Sequence, residues 1–243
     1  LFALQRLTRQ RFHLVKTISR EKAYMMSNIY LKFSSLYIAK KEDEPFSDMF
    51  GNTSKSIISD FTPDDIVNMS DEDMINFVME KGKSRFSHPE ENVKLLKKIA
   101  RDSYRLDKVA YDPINVAISS SFNTIKALED NLKVIDKAIE KNVKGLCDNE
   151  FTILKSIPGI GDVYAAGIIS EIGSIDFFKD NNALAKYAGL TWRKTQSGYF
   201  EAETTRMTKT GNKYLRYYLI EAVSSVKKHS KEFNEFYTPK YNE

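Results

Sequence analysis

The sequence predicts a mainly α protein in which long coiled-coil helices enclose a small inserted helical subdomain and are followed by a C-terminal helical domain. That last domain contains a helix-hairpin-helix and a serine loop. Three observations lead there. Two long stretches repeat apolar residues at helical intervals, three short segments carry helix-start signals, and one glycine-rich turn separates two short apolar runs.

From Leu1 to about Ala39, the apolar residues Leu4, Leu7, Leu14, Ile18 and Met25 recur three or four apart among strong helix formers, with no Gly or Pro. The stretch 113–144 places Ile118, Ile125, Leu132 and Ile139 seven apart, with Leu128 and Ile135 in the offset column. Such spacing is a coiled-coil seam. Ser121 and Asn142 in the same stretch weaken it or set its register. The seam suits an antiparallel pairing with the first helix, and it equally suits a second copy of the chain, so a homo-oligomer through the coiled coil is expected. Residues 1–39 and 113–145 are thus assigned to a stalk, 40–112 to an inserted helical subdomain, and 146–243 to the C-terminal domain.

Within the insertion, FTPDD, NMSDED and SHPEEN each put Ser, Thr or Pro just ahead of acidic residues. That order fits an N-cap and first turn, because the side-chain oxygen accepts from free backbone N–H groups and the carboxylates face the positive helix end. Helices are expected from Pro63, over 71–80, and from Pro89 to about Leu106. Capping accounts for Asp64, Asp65, Asp71, Glu72 and Asp73 without a metal. His13, His88 and His229 stand apart from one another, so no histidine ligand pair at short spacing exists.

Composition narrows the function classes. The 243 residues hold 37 Lys and Arg against 33 Asp and Glu, a net charge of +4, which permits a nucleic-acid partner without requiring one. The single cysteine, Cys147, excludes an internal disulfide and suits a reducing compartment. Nothing reaches the roughly 20 apolar residues of a membrane span, and arginines come too early in LFALQRLTRQRF for a signal peptide. A cytoplasmic protein with no membrane partner is expected. The chain opens inside a helix without an initiating Met or an N-cap, and so reads as a fragment.

FTILKSIPGIGDVYAAGIISEIG, beginning at Phe151, reads as helix, tight turn, helix. Pro158 stops the first helix, Asp162 is placed to cap the second, and Gly159 and Gly161 leave backbone N–H groups bare at a helix start. Bare N–H groups there can reach a phosphate oxygen, so both glycines are candidate nucleic-acid contacts. The same glycines would also serve close helix packing. The stretch after them gathers Arg193, Lys194, Arg206, Lys209 and Arg216 beside Tyr199, Phe200, Tyr214, Tyr217 and Tyr218. Cations interleaved with flat rings suit a nucleic-acid surface. Leu215, Leu219 and Val223 read as the core face of the last helix. Gly211 and Asn212 form the turn entering it, and Asn212 joins the candidate contacts.

SIPGIG at 156–161, AKYAGL at 185–190, QSG at 196–198 and TKTGNKYLR at 208–216 follow one another in an order and spacing that resemble bacterial insertion-sequence transposases. In that family an N-terminal RuvC-like domain with four acidic metal ligands precedes a C-terminal serine domain, and its members are described as bridge-RNA-guided recombinases. The resemblance extends upstream to RLTRQRFHLV. It implies a serine nucleophile for DNA strand cleavage and exchange at Ser197, a guide RNA, and Mg²⁺ held by the acidic domain, which this chain lacks. This chain therefore has no cofactor of its own and, alone, is expected to be inactive. Where the family has a proline after AGL, this chain has Trp192. The competing reading is a non-enzymatic helix-hairpin-helix nucleic-acid-binding module on a coiled-coil scaffold.

Overall fold

The computed structural model describes residues 1–83, 85–144, 149–192, 196–197, 200–201 and 205–242. Among them the chain is mainly α, as the periodicities predict, with one two-stranded ribbon. The elements are α1 (Phe2–Lys32), α2 (Ser34–Ile38), α3 (Asn52–Asp60), α4 (Pro63–Asn68), α5 (Asp71–Lys81), α6 (Pro89–Asp102) and α7 (Lys108–Lys144). They continue with α8 (Asn149–Ser156), α9 (Asp162–Ile172), α10 (Asn181–Ala188), β1 (Gln196–Ser197), β2 (Phe200–Glu201), α11 (Lys213–His229) and α12 (Lys231–Asn242). Two compact units result, one of Leu1–Val15 with Asp130–Glu243, the other of Lys16–Glu129.

In the unit Lys16–Glu129, residues of α1 and α7 pair antiparallel over a core of Met25, Ile29, Ile57, Ile66, Met74 and Leu96. Ile118 and Ile125 are part of that core and are at most 3% exposed. The polar seam residue Ser121 donates to Glu21 Oε1 at 2.7 Å. The expected helix starts are present. Thr62 and Asp65 form a reciprocal capping box on α4, and Ser70 accepts from the Asp73 backbone on α5. Hydrogen bonds from Thr62 hold the Asp65 carboxyl below the usual carboxylate range. The other acids are spent similarly, Asp64 on Arg105 at 2.6 Å and Asp71 on Lys97.

Two helices in this unit differ from expectation. The spacing of 52–60 does not announce α3, and α7 begins five residues ahead of Pro113. Pro113 therefore lies inside the helix, beyond the first turn of unpaired N–H groups, and costs α7 one backbone hydrogen bond to the carbonyl four residues before it. Lys32, at the end of α1, is fully buried and donates to Ile58 O and Asn115 Oδ1, both at 2.6 Å. Its ammonium thereby fills an orphan carbonyl at the C-terminus of α3. Burial lowers its pKa to about 8, against the pull of Asp60 and Asp65.

In the other unit, Ile139 and Val143 of α7 pack with Leu4 of α1 and Ala166 of α9. Ile139 is fully buried and Leu132 partly so. The seam column expected to carry a second copy is therefore mostly internal. Ile118, Ile125 and Ile139 are covered by the same chain, and Leu132 is the member of the column left partly exposed. A second core joins Ile168, Ala188, Leu215, Tyr218 and Ala222. Gly167 admits the Tyr218 ring, since a Cβ there would lie 2.4 Å from it, and the Tyr218 hydroxyl donates to Thr8 O at 2.7 Å. Val223, expected in the core, is instead 51% exposed and faces an apolar cavity of about 790 Å³ between α8, α9, α11 and α12.

Candidate nucleic-acid interface

The glycine hairpin forms between α8 and α9, as Pro158 and the two glycines predict, but the glycines do different jobs. Gly159 has φ +98°, and a Cβ on it would lie 2.9 Å from the backbone of Ser225 and Val226 in α11. Its bareness lets the turn lie flush on that helix. Gly161 is the residue preceding α9, and nothing approaches its Cβ position within 4 Å. It is thus the hairpin glycine that faces open space. Asp162 does not cap α9 as expected. It occupies the first turn and pairs with Lys155 Nζ at 2.5 Å, which neutralises it beside the open backbone.

Downstream, the residues around Ser197 make a ribbon instead of a plain loop. Thr208 N donates to Thr191 O at 2.8 Å, Trp192 bridges Met207, Gln196 pairs with Glu201, and Ser197 pairs with Phe200. Ser197 is the last paired residue before the tip. Thr191 and Thr208 also join their hydroxyls at 3.2 Å. Arg193 and Lys194 lie outside the described residues, as does Cys147. Arg206 and Lys209 are exposed on the returning strand side.

The base of the ribbon is fastened from several directions. Gly189 ends α10 with φ +71°, and its lack of a Cβ leaves room for the Arg216 guanidinium, which donates to Ala188 O at 2.9 Å and Lys209 O at 3.0 Å. Gly211 has φ +136° and sits so close to Tyr187 O that a Cβ would lie 2.4 Å away. Asn212 caps α11, its Oδ1 accepting from Tyr214 N and Leu215 N, both at 3.0 Å. Arg216 and Asn212, both candidate contacts, are therefore engaged in holding the loop.

Sequence reasoning missed the residue that holds Asn212. Glu171 of α9 is 3% exposed; Arg9 grips both its oxygens, Nε to Oε1 at 2.8 Å and Nη2 to Oε2 at 2.9 Å. Asn212 Nδ2 donates to the same Oε2 at 2.8 Å. The bond to Glu171 raises the Arg9 pKa further, fixing it as a cation. A signal was available, since Glu171 is a lone charge in the apolar run AAGIISEI and a buried charge requires a partner. Arg9 in turn lies over the Tyr214 ring at 4.6 Å. Burial raises the Tyr218 pKa, keeping its hydroxyl a donor.

Among the described residues no three His, Cys, Asp or Glu side chains gather as metal ligands would, and no helix is long and apolar enough to cross a membrane. No curated protein matches the chain. A family model described as Transposase IS116/IS110/IS902 family matches residues 151–238, a span that runs from the hairpin through the ribbon and α11 into α12. The match implies DNA transposition and, with it, contact with DNA. Over residues 151–238, then, the chain is similar to the transposase domain of the IS116/IS110/IS902 family.

Proposed function

We propose that the chain carries the serine half of a DNA transposase whose nucleophile is Ser197. The supporting observation is the ribbon, which carries the Ser197 backbone to its tip while Arg216, Gly211 and Asn212 fasten its base. In the step proposed, a bond forms between the serine oxygen and a DNA phosphorus as the bond to the leaving strand oxygen breaks. The serine proton passes to a base, and the leaving oxygen takes up a proton. The phosphoserine link conserves the energy of the cut bond, so that a second strand can be joined without a nucleotide cofactor. Exposed Arg206 and Lys209, with Arg193 and Lys194, would stabilise charge on the phosphoryl oxygens.

Gly161, beside the neutralised Asp162, is proposed as the hairpin's phosphate contact, with Gly159, Asn212 and Arg216 acting through the framework. Mg²⁺, held by the acidic domain that the resemblance implies, would offset phosphate charge; a guide RNA would supply the target sequence. Ser197→Ala tests the reading. Restored to the full recombinase, it should abolish a covalent protein–DNA adduct on denaturing gels while leaving DNA affinity unchanged. A chain that only binds nucleic acid would show no adduct in either form, and an adduct surviving Ser197→Ala would displace the nucleophile.

A further inference from the structure

We infer that Tyr187 is the stacking post of a track for single-stranded DNA, a role that rests on reading this domain as one that handles DNA. Two surface clefts share this ring. One, of about 520 Å³, is walled by Arg9, Lys213 and Tyr214; the other, of about 620 Å³, by Lys179 and Lys186. A half-exposed ring with cations on either side repeats the alternation of base and phosphate along a strand.

Tyr187 is held in place. Its carbonyl accepts from Asn212 N at 2.7 Å, its hydroxyl accepts from Asn212 Nδ2 at 3.3 Å, and its ring leans on Phe178 with centroids 5.3 Å apart. A fixed ring loses little freedom when a base stacks on it. The acids nearby are committed. Glu171 is matched by Arg9, and Asp180 caps α10 by accepting from Ala183 N at 2.8 Å. Lys179, Lys186 and Lys213 remain exposed to meet phosphates. The first N–H groups of α11 do not contribute, because Asn212 takes them. A duplex hides its base faces in its own stack, so a ring that offers stacking selects an unpaired strand.

Fluorescence anisotropy with labelled oligothymidine, an abasic strand of equal charge, the matching duplex and an RNA strand tests this. The chain should bind oligothymidine roughly tenfold more tightly than the abasic strand. Tyr187→Leu should erase that preference and Tyr187→Phe should keep it, which separates the ring from its hydroxyl. Should Tyr187→Leu fail to fold, the pair Lys179→Gln and Lys186→Gln replaces it, and should lower the salt slope by roughly 0.7 for each phosphate left without its lysine. A folded Tyr187→Leu that keeps the base preference, a cation pair with an unchanged slope, or base-dependent binding to RNA alone overturns the track. Loss of every nucleic-acid affinity in the unaltered chain would instead overturn the DNA-handling reading beneath it.

Discussion

At the scale of single residues, two buried charges govern the units they belong to. Lys32 has a pKa of about 8 in the folded chain against 10.5 for an ordinary lysine. Below pH 8 both states carry the proton and the folded chain bears the whole cost of the buried ammonium. Between pH 8 and 10.5 the unfolded chain holds more protons, so stability rises with pH, by up to about 3 kcal/mol. Urea midpoints followed from pH 7.5 to 10 should climb in the native chain and stay flat in Lys32→Met. Tyr218, whose pKa is raised by burial, acts oppositely above pH 10, which sets the upper limit of the test. Glu171→Ala should cost about 3 kcal/mol, because it leaves Arg9 and Asn212 without the carboxylate they share. A double-mutant cycle with Arg9→Ala, read by denaturation, should recover a coupling of the same sign. The lone Glu171 in AAGIISEI announces a buried charge but not what answers it, and nothing near Lys32 announces its burial: both partner sets are remote in the chain, and only folding brings Arg9 and Asn212 to Glu171.

At the scale of elements, what repeats locally was readable and what depends on distant contact was not. The helix starts at Pro63, Asp71 and Pro89 follow from residues within one turn, and the hairpin between α8 and α9 follows from Pro158 and two glycines. The heptads of α7 were equally plain, yet heptads report an apolar seam and not whose residues cover it. At Ile118, Ile125 and Ile139 the cover is the chain itself. Ile125→Asp should therefore lower stability by at least about 3 kcal/mol instead of splitting a dimer, since it buries a carboxylate in the core with Met25 and Ile29. A lowered thermal midpoint with an unchanged sedimentation mass for the folded fraction would bear this out; a halved mass with full stability would refute it. The ribbon at Ser197 went unread because it is two residues deep and its pairing partners are Thr208 and Met207 as much as its own neighbours.

Across the whole molecule, 37 basic and 33 acidic side chains nearly balance, so attraction to a polyanion depends on which cations are left without a partner. Arg9, Arg11 and Lys155 are matched by Glu171, Asp136 and Asp162, whereas Arg206 and Lys209 are exposed beside the ribbon. Arg206→Gln and Lys209→Gln should each weaken DNA binding alike for every sequence and reduce the salt slope by roughly 0.9 on duplex, read from titrations at several salt concentrations. Arg11→Gln should destabilise without changing that slope. The fastened base and paired tip of the ribbon have a mechanical corollary. Ser197 is six residue steps along the chain from Thr191, so the serine can stand at most about 20 Å from that anchorage. On the proposed reading, that reach lets the domain offer its serine to chemistry assembled on another surface without itself enclosing the bond to be broken.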